Sequence, residues 1–273
     1  MPFVSFRYGM PLLLLLAALA GCAGRADSFA IPPQNVSGSR APVQGLPASL
    51  AVPSGAGPFP AVIVLHGCGG RSGAQQVWAE RLNHWGYAAV VLDSFAPRGV
   101  SSVCDPANQA RVTAQDRAGD VLSAAVWLRT RPEIDGARIG VIGFSHGGAT
   151  AAWVTQRRYD RLFPGLLKAS VDYYGVCRFP ETQGGVPLLA LAGEADDWGY
   201  PALSCRGFAA KLHAGQVFEV YTYPGVVHGF ENVLQQHRSM VEGHALEYDR
   251  DAADDSFVRV KAFLDRYVGR SES

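Results

Sequence analysis

The chain carries no excess of charge of either sign: 24 lysines and arginines stand against 24 aspartates and glutamates in 273 residues. Without a basic run there is no electrostatic footprint for nucleic acid, and nothing to draw the chain to an anionic membrane surface. Cysteines number only five and none shows the C-x-x-C spacing of a zinc site. The unbroken apolar run Leu12 to Ala20 is too short to cross a bilayer, which takes roughly 20 residues. Charged residues are sparse at 18%, whereas apolar residues reach 48%, the balance of a packed core rather than of a disordered chain. A chain of this length buries most of its surface on folding, so neither a metal nor a disulfide is obligatory for stability.

What is present begins with a leader. Arg7 supplies a sparse positive region, Leu12 to Ala20 an h-region, and Leu19-Ala20-Gly21-Cys22 follows directly. Small residues before a cysteine in this place resemble the bacterial lipobox, which implies lipidation of Cys22 and a lipid-anchored, exported protein facing the periplasm. An ordinary cleaved signal with Cys22 incidental is the alternative. Residues 23–47, rich in Ser, Pro, Gly and Ala, read as a flexible tether, and residues 48–273 as one domain. Setting Cys22 aside leaves Cys68, Cys104, Cys177 and Cys205, an even number in an oxidising compartment. Pairing Cys68 with Cys104 and Cys177 with Cys205 would tie neighbouring loops on one side of a sheet; four buried thiols are the alternative.

Within the domain, apolar β-branched runs at Ala61 to Leu65, Ala88 to Leu92, Ile139 to Ile142, Ala169 to Tyr174, Val186 to Leu191 and Val217 to Tyr221 alternate with room for helices. Asp116 to Leu128 and Ala252 to Val268 are the clearest amphipathic helices. Strands apolar on both faces, separated by helices, predict a mostly parallel central sheet with helices on both faces, hence an α/β fold. Some eleven residues separate Tyr174 from Val186, too few for a helical cap. An open site follows.

Gly143-Phe144-Ser145-His146-Gly147 fits the G-x-S-x-G nucleophile elbow, and an apolar strand runs straight into it. A serine hydroxyl is a weak nucleophile without a base in reach. His228, in a glycine-flanked turn just past a strand, is the candidate base. His84 and His213 sit in helical surroundings, and His237 and His244 in a polar segment. The acid that orients the imidazole belongs to Gly193-Glu194-Ala195-Asp196-Asp197, with Asp196 preferred, Asp197 the alternative and Asp172 the outsider. An oxyanion hole would use the backbone N–H groups of His146 and of Cys68, in the loop His66-Gly67-Cys68-Gly69-Gly70.

With these residues in hand, the chain resembles the dienelactone hydrolase family. Four segments carry the likeness: His66 to Gly70, Asp93 to Gly99, Gly143 to Gly148, and Gly193 to Asp197 with His228. The resemblance implies a cap-free α/β-hydrolase fold without metal or organic cofactor, acting on small ester, lactone or thioester substrates. Arg98 resembles a family arginine that contacts the substrate carboxylate; bracing a loop is its other possible role. Two departures stand out. The namesake enzymes use a cysteine where this chain has Ser145, and their loop glutamate has Gly67 as its nearest counterpart. Both point to serine esterase chemistry. Acyl transfer through the same triad, or a catalytically silent envelope lipoprotein, are the competing functions; binding alone would require none of the catalytic set.

Overall fold

The computed structural model describes Met1 and residues 27–42, 44–178, 184–212 and 215–269. The leader with Cys22, and His213, lie outside the described residues.

Ten strands form. They are β1 (Asp27–Ile31), β2 (Leu46–Ala51), β3 (Phe59–Leu65), β4 (Ala88–Leu92), β5 (Ile134–Phe144), β6 (Ala169–Tyr173), β7 (Leu188–Gly193), β8 (Phe218–Tyr223) and a short hairpin, β9 (Ser239–Val241) and β10 (His244–Leu246). The helices are α1 (Gly73–His84), α2 (Ala114–Leu128), α3 (His146–Trp153), α4 (Arg157–Leu162), α5 (Pro201–Ala209) and α6 (Arg250–Tyr267). Eight strands make one sheet in the order β1-β2-β4-β3-β5-β6-β7-β8. From β4 to β8 every neighbouring pair is parallel, while β1 and β2 join antiparallel at one edge. This is the expected α/β-hydrolase arrangement. The chain passes from β6 to β7 over residues 174–187, and the described residues of that stretch form no cap.

Alternation along the strands explains the layering. In β3, Ala61, Ile63 and Leu65 pack with Ala118, Val121 and Leu122 of α2, whereas Val62 and Val64 turn to the other face, toward Trp78 and Leu82 of α1 and Phe263 of α6. A strand buried on both faces has no polar side to show, which is why its sequence is an unbroken apolar run. The chain leaves β3 toward β4 on one side and returns to β5 on the other, so the order in which the parallel strands are laid down reverses between β3 and β5. The crevice at such a switch point is where open α/β sheets bind ligands.

One expectation is corrected. Residues 27–47 are not a tether, because β1 pairs along its length with β2, Asp27 to Ile31 opposite Leu50 to Leu46. Ile31 and Val36 are buried in the core, and the Arg40 guanidinium bonds both carboxylate oxygens of Asp116, at 3.0 and 2.5 Å. Among the described residues, no helix is long and apolar enough to cross a membrane.

Candidate active site

The loops after β3, β5, β7 and β8 meet at the carboxyl edge of the sheet. At the end of β5 the chain turns abruptly into α3 through Ser145, whose φ of 56° and ψ of −116° lie where L-residues are rarely found. The turn closes only without side chains. A Cβ on Gly143 would run into the Gly147 carbonyl, and one on Gly147 would come within 2.6 Å of the carbonyls of Leu65 and His66. The strained backbone is held from both sides: Ser145 N–H donates to the Tyr173 carbonyl and its own carbonyl accepts from Ala149 N–H, each at 2.8 Å. The result is a hydroxyl raised at the switch point. Among the described residues it makes no hydrogen bond.

Past β8, His228 is almost wholly buried, and its Nδ1 lies 2.7 Å from Oδ2 of Asp196, itself 3% exposed. Because a carboxylate only accepts, Nδ1 carries the proton and Nε2 is the free lone pair. The two loops are laced together by the Ala195 N–H to the Val226 carbonyl at 3.0 Å, and Asp196 Oδ1 takes the Trp198 N–H at 2.9 Å. Asp197 points elsewhere, pairing with His244 Nδ1 at 2.8 Å. Trp198 lies between the two histidine rings, 5.0 Å from each. Tyr174, at φ 44°, covers another side of His228 with ring centroids 4.5 Å apart. Its hydroxyl donates at 2.5 Å to Glu231, whose carboxyl burial pushes up to about 7. Asp172 is buried under α3, far from this role: it accepts Gly175 N–H at 2.7 Å, and burial pushes its carboxyl up to about 7.

The oxyanion candidates flank the elbow. A Cβ placed on Gly67 would sit 3.6 Å from that of Ser145, so the loop 66–70 rests directly on the turn. Cys68 accepts the Val103 N–H through its carbonyl at 2.8 Å and is bonded through sulfur to Cys104; its own N–H has no acceptor among the described residues. His146 opens α3, where a backbone N–H has no partner within the helix. The second bridge, Cys177 to Cys205, fastens the loop after β6 to α5. Those two sulfurs with Asp172 form a grouping of metal-ligating type, but the disulfide consumes both thiols.

Ser145 stands between two lobes of an open cleft, about 390 and 230 Å³, which share Cys68, Cys104, Tyr174 and Trp198. The larger also has His146, Ala149 and Arg178; the smaller has His228, Glu231 and Leu246. Arg98 lines neither. Its guanidinium forks onto Asp120 at 2.8 and 2.9 Å and bonds the carbonyls of Ser94 and Arg40, each at 2.7 Å, so it braces loops instead of meeting substrate. Sequence reasoning passed over Tyr174, Trp198, Glu231 and the fully buried Arg117, none of which sits in a motif.

The sequence matches the dienelactone hydrolase family over residues 46–268. A Methylorubrum extorquens protein, provisionally assigned as a carboxymethylenebutenolidase, is 28% identical over 204 residues, 68% of each chain. Among solved structures, a provisionally assigned dienelactone hydrolase from Klebsiella pneumoniae superposes with a TM-score of 0.71 at 23% identity, covering 90% of this chain and 100% of its own. Thermogutta terrifontis esterase 2, in a form phosphorylated by paraoxon, reaches 0.63 at 18% identity, covering 91% of this chain and 96% of its own. The match over residues 46–268 makes this chain a member of the dienelactone hydrolase family, and with it an ester-cleaving hydrolase.

Proposed function

We propose that the chain is a serine esterase working through an acyl-enzyme on Ser145, with His228 as base and then acid, and Asp196 orienting the imidazole. One observation carries this reading. Ser145 and His228 line the same lobe, the Ser145 hydroxyl and His228 Nε2 have no hydrogen-bond partner among the described residues, and Nδ1 of that imidazole is already held by Asp196. In the first step Oγ bonds to the ester carbonyl carbon and its proton passes to Nε2. The negative charge on the carbonyl oxygen is met by the N–H groups of Cys68 and His146. Collapse breaks the bond to the alcohol, which leaves with the proton from Nε2; water then repeats the sequence on the acyl group.

The imidazole must reach the departing oxygen, so the alcohol half belongs in the smaller lobe beside His228. The acyl half belongs in the larger lobe, along Ala149 and Val176. Cap-free access favours short esters and lactones. We also propose that the mature chain is lipid-anchored at Cys22 in the cell envelope, on the strength of the lipobox-like sequence.

A fluorophosphonate probe tests the nucleophile. Purified protein is expected to label at one residue and Ser145→Ala to abolish labelling and esterase turnover, with an unchanged circular dichroism spectrum. Full labelling of the folded Ser145→Ala protein would refute the assignment.

A further inference from the structure

Arg117 is the largest side chain buried without any exposure, and it lies on α2, outside every motif. A guanidinium that deep is costly unless its donors are spent and its charge is answered. Its two terminal nitrogens are engaged: Nη2 donates to the His66 carbonyl at 2.7 Å and Nη1 to His146 Nδ1 at 2.8 Å, while the buried Nε has no hydrogen-bond partner among the described residues. The charge is not answered by contact. The carboxylate of its own helix that acts on it most, Asp120, has both oxygens taken by Arg98, and Asp93 is taken up by the N–H groups of Phe95 and Ala96. Both acids act on Arg117 only at a distance, and its remaining neighbour is the Phe95 ring, 5.2 Å from the guanidinium carbon.

The two acceptors are the informative part. One belongs to the residue that starts the loop 66–70, two positions before Cys68. The other belongs to His146 itself. A single rigid fork therefore spans the two backbone segments that carry the proposed oxyanion donors. Tautomers make the link one-way: Arg only donates, so His146 Nδ1 is bare, and its other nitrogen bonds the Val112 backbone. Burial, followed by the Arg117 charge, pushes that imidazole down to about 3 and holds the His66 imidazole well below its usual range. The guanidinium, drawn down by burial to about 9, keeps its proton at neutral pH. Of these three side chains, Arg117 is thus the one that carries positive charge.

We propose that Arg117 is the positioning residue of the oxyanion hole, fixing the Cys68 loop against the start of α3 and holding a buried positive charge behind the developing oxyanion. This rests on the reading of Ser145 as nucleophile. A purely structural arginine would stabilise the fold and leave the chemistry alone; the proposal says that the transition state feels its loss more than the bound substrate does.

The test uses the intact enzyme with active sites counted by the fluorophosphonate probe. In Arg117→Gln, which removes the charge at similar length, kcat per labelled site is expected to fall about 10–100-fold, less than or comparable to loss of a donor itself. KM is expected to stay within about 3-fold, and affinity for a trifluoromethyl ketone, which forms a tetrahedral adduct on the serine, to fall in step with kcat/KM. Arg117→Lys, keeping charge but only one arm of the fork, is expected to recover part of the loss. Unchanged kcat per site in Arg117→Gln, with only a lower Tm, overturns the proposal. If Arg117→Gln does not fold, His146→Leu removes one acceptor and keeps the charge; an unchanged kcat per site there overturns it equally. Wild-type protein that fails to label at Ser145 would overturn both the proposal and the reading beneath it, whereas normal wild-type labelling with an indifferent Arg117 sinks the proposal alone.

Discussion

Two adjacent carboxylates show how much a single residue's surroundings decide. Asp196 and Asp197 are chemically alike and equally well placed after a strand, and the sequence leaves both open. In the fold one side chain is fully shielded against His228 while the other is 57% exposed beside His244. A buried acceptor that sets a tautomer cannot be exchanged for an amide without offering the wrong face to Nδ1. Asp196→Asn is therefore expected to lower kcat about 10³–10⁴-fold, and Asp197→Asn less than about 5-fold, in steady-state assays of a short p-nitrophenyl ester. The opposite ranking would move the acid to Asp197. At this scale Ser145, His228 and the 193–197 loop were legible because glycines and strand ends punctuate them. Arg117, Trp198 and Glu231 were not, since their significance lies in partners distant in the chain: Arg117 meets His66 across 51 residues, and Glu231 meets Trp78 across 153. For Arg98 the sequence leaves substrate contact and loop bracing both open, and the fold pairs its charge with Asp120.

At the scale of elements, what the sequence reveals depends on burial. Strands covered on both faces, such as β3 and β4, announce themselves as apolar runs, and all six parallel strands were foreseen to within a few residues. The edge strand β1 reads Asp-Ser-Phe-Ala-Ile, with Ser28 and Ala30 exposed, so it offers too little pattern to separate from linker. The three-residue strands of the β9–β10 hairpin are shorter still. Whether the β1 segment belongs to the domain is measurable. A chain beginning at Leu46 is expected to melt below one beginning at Asp27, because it forfeits the burial of Ile31 and Val36, about 3–5 kcal/mol together. That corresponds to a Tm lower by roughly 10 °C. Equal melting temperatures in thermal denaturation would reinstate the tether.

For the molecule as a whole, the position of β1 shortens the distance to any anchor. Only four residues lie between Cys22 and Asp27, so the stretch from one to the other spans at most about 18 Å when fully extended. Lipid on Cys22 would thus hold the β1 edge of the sheet close to the bilayer surface. Metabolic labelling with a palmitate analogue is expected to mark the full-length protein in a bacterial host and to be lost in Cys22→Ala; persistence of the label in that variant would exclude the anchor. The disulfides work at this scale too: Cys68 and Cys104 both lie in the wall of the cleft, and Cys177 of the second bridge sits between the lining residues Val176 and Arg178. An enzyme that grips its ligand by shutting a lid needs hinges, and here the corners of the doorway are riveted. On the proposed esterase reading, choice among esters would then fall to the outline of that opening and to the inherent reactivity of the bond presented, with many small guests admitted and none embraced closely.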